Sequence, residues 1–84
     1  MARRVHDVRA IPLWLLREYL VDAGGRAEGG RIVGPRWRAT LTELEDYRIG
    51  GLAVGQVRLE LEGDEDALDA VDAQLAPKLL RGGG

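Results

Sequence analysis

No cysteine occurs among the 84 residues, which excludes disulfides, thiolate nucleophiles and cysteine-ligated metals. Serine is missing as well, so no serine hydroxyl is available for acyl transfer. The longest apolar run, Ile11 to Leu16, contains Pro12 and falls far short of the roughly 20 residues of a membrane helix. It is also too short for the apolar core of a signal peptide. These absences predict a soluble, cytoplasmic protein with no membrane contact. Lys78 is the only lysine among 12 basic side chains, and asparagine is lacking. Such arginine bias with few thermolabile amides is a thermophile-like composition, which a GC-rich source would also produce.

What is present is globular in proportion, with 45% apolar and 31% charged residues. A chain this short holds one domain. The net charge of −2 is unevenly spread. Residues 1–36 carry seven arginines against four acids, or +3, and residues 37–84 carry five basic residues against ten acids, or −5. A weakly acidic total offers no field for capturing nucleic acid, although Arg26, Arg31, Arg36 and Arg38 can form a local basic face.

Residues 1–10 (MARRVHDVRA) are polar and basic with no evident period, which predicts a mobile N-terminal lead-in. A helix is expected from Pro12, whose fixed φ suits a first turn. Leu13, Leu16, Leu20 and Ala23 recur there at helical spacing. Trp14, Leu15 and Val21 widen the apolar face until Gly24-Gly25 ends it. The period then changes to two. Short segments flank Gly29-Gly30, and Trp37, Ala39 and Leu41 alternate with polar residues. A bend or bulge is expected near Glu43, because Leu44 falls on the other parity. Val57, Leu59 and Leu61 alternate with Arg58, Glu60 and Glu62, the pattern of an antiparallel sheet wetted on one side. Asp64 starts a second helix with Glu65 and Asp66 in its first turn, and Pro77 limits it. The expected fold is α+β over residues 11–80: a helix, a three- to four-stranded antiparallel sheet and a helix, both helices on one face. Residues 81–84 are expected to form a flexible glycine tail.

Few side chains suggest catalysis. His6, the only histidine, lies in the expected lead-in without an evident partner. The acids from Glu62 to Asp66 coincide with a helix start and lack the alternating oxygen ligands of a calcium loop. Gly50 to Gly55 has neither the lysine nor the hydroxyl of a phosphate-binding loop. No enzymatic activity, metal or cofactor is therefore expected. The closing Arg81-Gly82-Gly83-Gly84 is different, because a terminus without β-carbons can enter a narrow adenylating channel. Gly82, Gly83 and Gly84 are thus candidate residues of an acyl-donor tail, with an adenylating enzyme as partner.

The chain from about Ile11 to Gly84 resembles a small uncharacterised domain that follows a MoaD-like sulfur-carrier domain in some bacterial proteins. The resemblance is carried by Pro12-Leu13-Trp14-Leu15-Leu16, Tyr19-Leu20, Gly24-Gly25, the alternating strand Val57 to Gly63, and Arg81 to Gly84. It implies a non-enzymatic binding or accessory module linked to molybdopterin or sulfur-carrier pathways. Residues Ile49 to Leu75 are also similar to the strand–helix half of NIL domains, which implies a small-ligand sensor as an alternative. A ubiquitin-like grasp scaffold is not expected, since a helix is read before the strands. Trp14, Leu15 and Val21 are the expected contact surface, for a protein partner or for self-association.

Overall fold

The computed structural model describes residues 1–81. Its elements in chain order are β1 (Ala2–Arg9), α1 (Leu13–Asp22), β2 (Arg26–Glu28), β3 (Arg31–Gly34), β4 (Trp37–Ile49), β5 (Leu52–Gly63) and α2 (Glu65–Arg81). The strands form one antiparallel five-stranded sheet in the order β1-β5-β4-β3-β2. The α+β class stands, but two expectations are corrected. The sheet has five strands rather than three or four, and a strand rather than a helix comes first.

The overlooked strand is the supposed lead-in. Ala2 to Arg9 pairs residue by residue with Gly63 to Gln56. Its inward positions are Ala2, Arg4, His6 and Val8, which face the same side as Gly63, Leu61, Leu59 and Val57. Two of the four are polar, so the alternation cannot be seen as hydrophobic periodicity. Arg4 is tolerated because α2 supplies carboxylates above it. Arg4 donates from Nη1 to Asp72 Oδ2 at 2.6 Å and from Nη2 to Asp69 Oδ1 at 2.7 Å.

The covered face is otherwise apolar. Leu59 and Leu61 of β5, Ala39 of β4 and Ile32 of β3 meet Leu20 of α1 and Leu68, Val71 and Leu75 of α2 in one cluster. Both helices therefore lie on the same side of the sheet. A second group, Val8, Ile11, Leu16 and Val57, joins the end of β1 to α1, with Leu79 of α2 packed against it. Burying a leucine fully contributes about 1.5–3 kcal/mol, and Leu16, Leu20, Leu59, Leu61, Leu68 and Leu75 are all fully buried. No described element covers the opposite face, which carries cross-strand ion pairs, among them Arg3–Glu60 at 2.8 Å and Arg58–Asp7 at 2.9 Å.

Local sequence explains most boundaries. At the end of α1, Gly24 takes φ +107°; its N–H reaches Val21 O and the Gly25 N–H reaches Leu20 O, the paired bonds of a Schellman closure. At the other helix, Pro77 does not act as a terminator. It sits inside α2, which runs to Arg81, at the loss of one helical hydrogen bond. Between β4 and β5 the register shifts between Leu44 and Tyr47, so an extra residue displaces the alternation, as the parity change at Leu44 foretells.

The turn Gly34-Pro35-Arg36-Trp37 ties the two layers together. Pro35 presets the first central position, and Arg36 takes φ +64° at the second, the signature of a type II turn. The left-handed conformation is costly for arginine, and three contacts hold it. Arg36 O accepts from the Asp64 N–H at 3.1 Å, and its guanidinium pairs with Asp64 and Asp66 at the start of α2. Beneath the turn, Trp37 lies over backbone that carries no β-carbon. A Cβ at Gly34 would overlap the indole, and one at Gly25 would come within 2.8 Å of Trp37 Cη2. Gly34→Ala is expected to destabilise the protein by about 1–3 kcal/mol through overpacking. Gly30→Ala, where an added Cβ meets nothing within 4 Å, serves as the control. Urea unfolding midpoints of the two variants check this.

Candidate functional site

Helix α1 presents two kinds of apolar residue. Leu16 and Leu20 are buried, whereas Trp14 and Val21 are 62% and 42% exposed. Seven residues apart, Trp14 and Val21 lie on nearly the same side of the helix. Charged Arg17 and Glu18 stand between them and are exposed. Leu15 is turned away from this line and packs against the group of Val8, Ile11, Leu16 and Val57. The three residues singled out in the sequence thus do not make one strip.

Trp14 belongs instead to a cleft that the sequence did not mark. Ala10, Pro12 and Trp14 form one side, and Glu43, Asp46 and Gln56 contribute to the other, around a volume of about 540 Å³. The corner is fixed by Ala10, which takes φ +66° and donates its N–H to Gly55 O at 2.9 Å. Space above Gly55 is open, since a Cβ there would meet nothing within 4 Å. Glu43 and Asp46 make no ion pair among the described residues. An apolar wall beside two carboxylates suits an extended segment bearing a basic group. The parity break at Leu44 was the available sign that the sheet bends away here.

Beyond the cleft the β4–β5 hairpin carries Tyr47 opposite Val54 and Ile49 opposite Leu52. Ile49 and Leu52 are 57% and 71% exposed. Arg9 stacks its guanidinium 3.6 Å from the centroid of Tyr47, anchoring the hairpin base to β1.

The remaining candidates lie elsewhere. His6 lies under α2 with Nε2 3.4 Å from Asp72 Oδ1, and that buried nitrogen has no hydrogen-bond partner among the described residues. Asp64 and Asp66 receive Arg36, and Glu62 lies beside Arg38 at 3.5 Å. Arg26 is held by Glu28 at 2.6 Å, so three of the four arginines of the expected basic face stand beside carboxylates. Among the described residues no group of three or more His, Asp or Glu side chains is arranged to hold a metal. Nor is any helix there long and apolar enough to cross a membrane. The candidate residues Gly82, Gly83 and Gly84 lie outside the described residues.

What these features define is a small α+β protein whose distinctive surfaces, among the described residues, are an uncovered sheet face, the edge strand β1 and an apolar cleft with two carboxylates in its lining. The chain matches the archaeal MoaD-like protein family over residues 4–84, and it belongs to that family. The match begins inside β1 and takes in residues 4–9 of that strand. No curated protein matches the chain.

The clamp on the β3–β4 turn carries a pH dependence. The hydrogen bond from Arg36 holds the Asp66 carboxyl below its ordinary range, and the charge of Arg36 adds to the effect. A carboxyl depressed in the folded state contributes stability above its unfolded pKa and loses it as pH falls through the folded value. Asp66→Asn is therefore expected to melt lower than the parent near neutral pH, with the gap closing as both are acidified below the carboxylate range. Thermal melts across that range measure it.

Proposed function

We propose that this protein is a non-catalytic accessory module of molybdopterin-type sulfur-carrier chemistry that acts by binding a partner protein. Membership of the archaeal MoaD-like family over residues 4–84 carries the link to that chemistry. The exposed indole of Trp14 at the mouth of the cleft supports binding as the mode of action, since an exposed aromatic beside a concave apolar surface is the usual anchor of an interface. Glu43 and Asp46 select a partner segment with a basic side chain.

A second reading has one observation in its favour, namely that the family match extends through Gly84. In it the terminal carboxylate is adenylated by ATP with release of pyrophosphate, and a sulfur donor then displaces AMP to leave a thiocarboxylate. One experiment separates the two. The protein is incubated with a sulfur-carrier adenylating enzyme, ATP and a sulfide donor, and both complex formation and intact mass are recorded. The accessory reading expects a complex that Trp14→Ala weakens by about tenfold or more, with an unaltered mass. A mass gain of sulfur for oxygen supports the carrier instead. Neither complex nor mass change with such enzymes contradicts both readings.

A further inference from the structure

Strand β1 is the first strand of the sheet order and has a single neighbour, β5. The pairing continues past the strand end, where Ala10 donates its N–H to Gly55 O. In an antiparallel ladder, hydrogen-bonded and non-hydrogen-bonded positions alternate. The even-numbered residues of β1 therefore direct their N–H and C=O groups to β5. Arg3, Val5, Asp7 and Arg9 direct theirs outward, along an edge that no described strand pairs.

We propose that this edge pairs with the same edge of a second copy, antiparallel about a two-fold axis through Val5, joining two sheets into one of ten strands. Only outward-directed residues can hydrogen-bond across the seam, so the allowed registers differ by steps of two. With Val5 opposite the partner's Val5, Arg3 stands opposite the partner's Asp7, and Asp7 opposite the partner's Arg3. A slip of two residues sets Arg3 against the partner's Arg9 in one direction, and against the partner's Val5 in the other. Charge thus selects one register.

The neighbours reinforce it. Arg38 is directly opposite Glu62, Glu62 opposite Arg3, and Asp7 opposite Arg58. Across the seam the row reads Arg38, Glu62, Arg3, the partner's Asp7, the partner's Arg58, with the sign alternating at every step. The symmetry places the same row on the far side of the axis. Between the two rows Val5, which is 46% exposed and stands between the charged Arg3 and Asp7 on the open face, meets its counterpart and loses that exposure. Unpaired edges are usually blunted by like charge, whereas this one carries charges that complement their own rotated copy.

The test is a concentration series of the full chain by sedimentation velocity, with two variants. Val5→Lys sets two cations face to face on the axis. Val5→Pro removes an N–H that points away from β5 and so spares the internal ladder. The parent is expected to form dimers as concentration rises, and Val5→Lys to weaken dimerisation by about tenfold or more, a like-charge pair replacing an apolar one. Far-UV circular dichroism melts confirm that each variant is folded; if Val5→Pro unfolds, Val5→Lys decides. A parent that stays monomeric up to its solubility limit overturns the proposal. So does a dimer that folded Val5→Lys leaves unchanged, since it must then use another surface.

Discussion

Arg4 forked between Asp69 and Asp72 is the contact on which the architecture turns. It joins the first strand to the last helix, 65 and 68 positions apart in sequence. An inward-facing arginine on a sheet is costly unless its donors are met, and here each arm of the guanidinium finds its own carboxylate. With that need satisfied, Ala2 and Val8 can close the two ends of the strand against β5 and the core. Asp72 also lies 3.4 Å from the Nε2 of His6, but that buried nitrogen has no hydrogen-bond partner among the described residues, so only the arginine of the two polar inward positions is fully served by α2. An ion pair so near solvent contributes little net stability. Its effect is to fix which strand lies under α2.

Consequences follow for every surface of interest. Since β1 occupies the edge beside β5, the chain must turn at Ala10 to place α1 over the sheet, and that turn creates one wall of the Trp14 cleft. The hairpin bulge between Leu44 and Tyr47 sets the opposite wall. The glycines under Trp37 and the clamp from Arg36 to the start of α2 hold the far end of the sheet, leaving the cleft and the hairpin at the end where Leu79 packs against Val8 and Ile11.

The parts of the fold written as hydrophobic period are legible from the sequence. Val57, Leu59 and Leu61, the leucines of α1, and Leu68, Val71 and Leu75 stand where their spacing requires. Residues 2–9 were illegible because two of their four inward positions, Arg4 and His6, are polar; Arg4 occupies its position by virtue of carboxylates more than sixty residues away. Pro77 misled for a related reason, because packing of α2 on the sheet outweighs one lost helical bond. Of the site, exposure of Trp14 and Val21 follows the breadth of the apolar face. Leu15 facing inward depends on where α1 lands; Glu43 reaches the cleft on the regular alternation of β4, opposite Val57, and Asp46 through the bulge.

Amide hydrogen exchange resolved along residues 2–9 tests the edge-strand assignment most directly. The N–H groups of Arg4, His6 and Val8, directed at β5, should be protected to the degree of the central strand around Leu59 and Leu61. Exchange of all three at the rate of an open peptide, with the rest of the sheet protected, would contradict the strand-first architecture and remove the basis for both the cleft and the dimer.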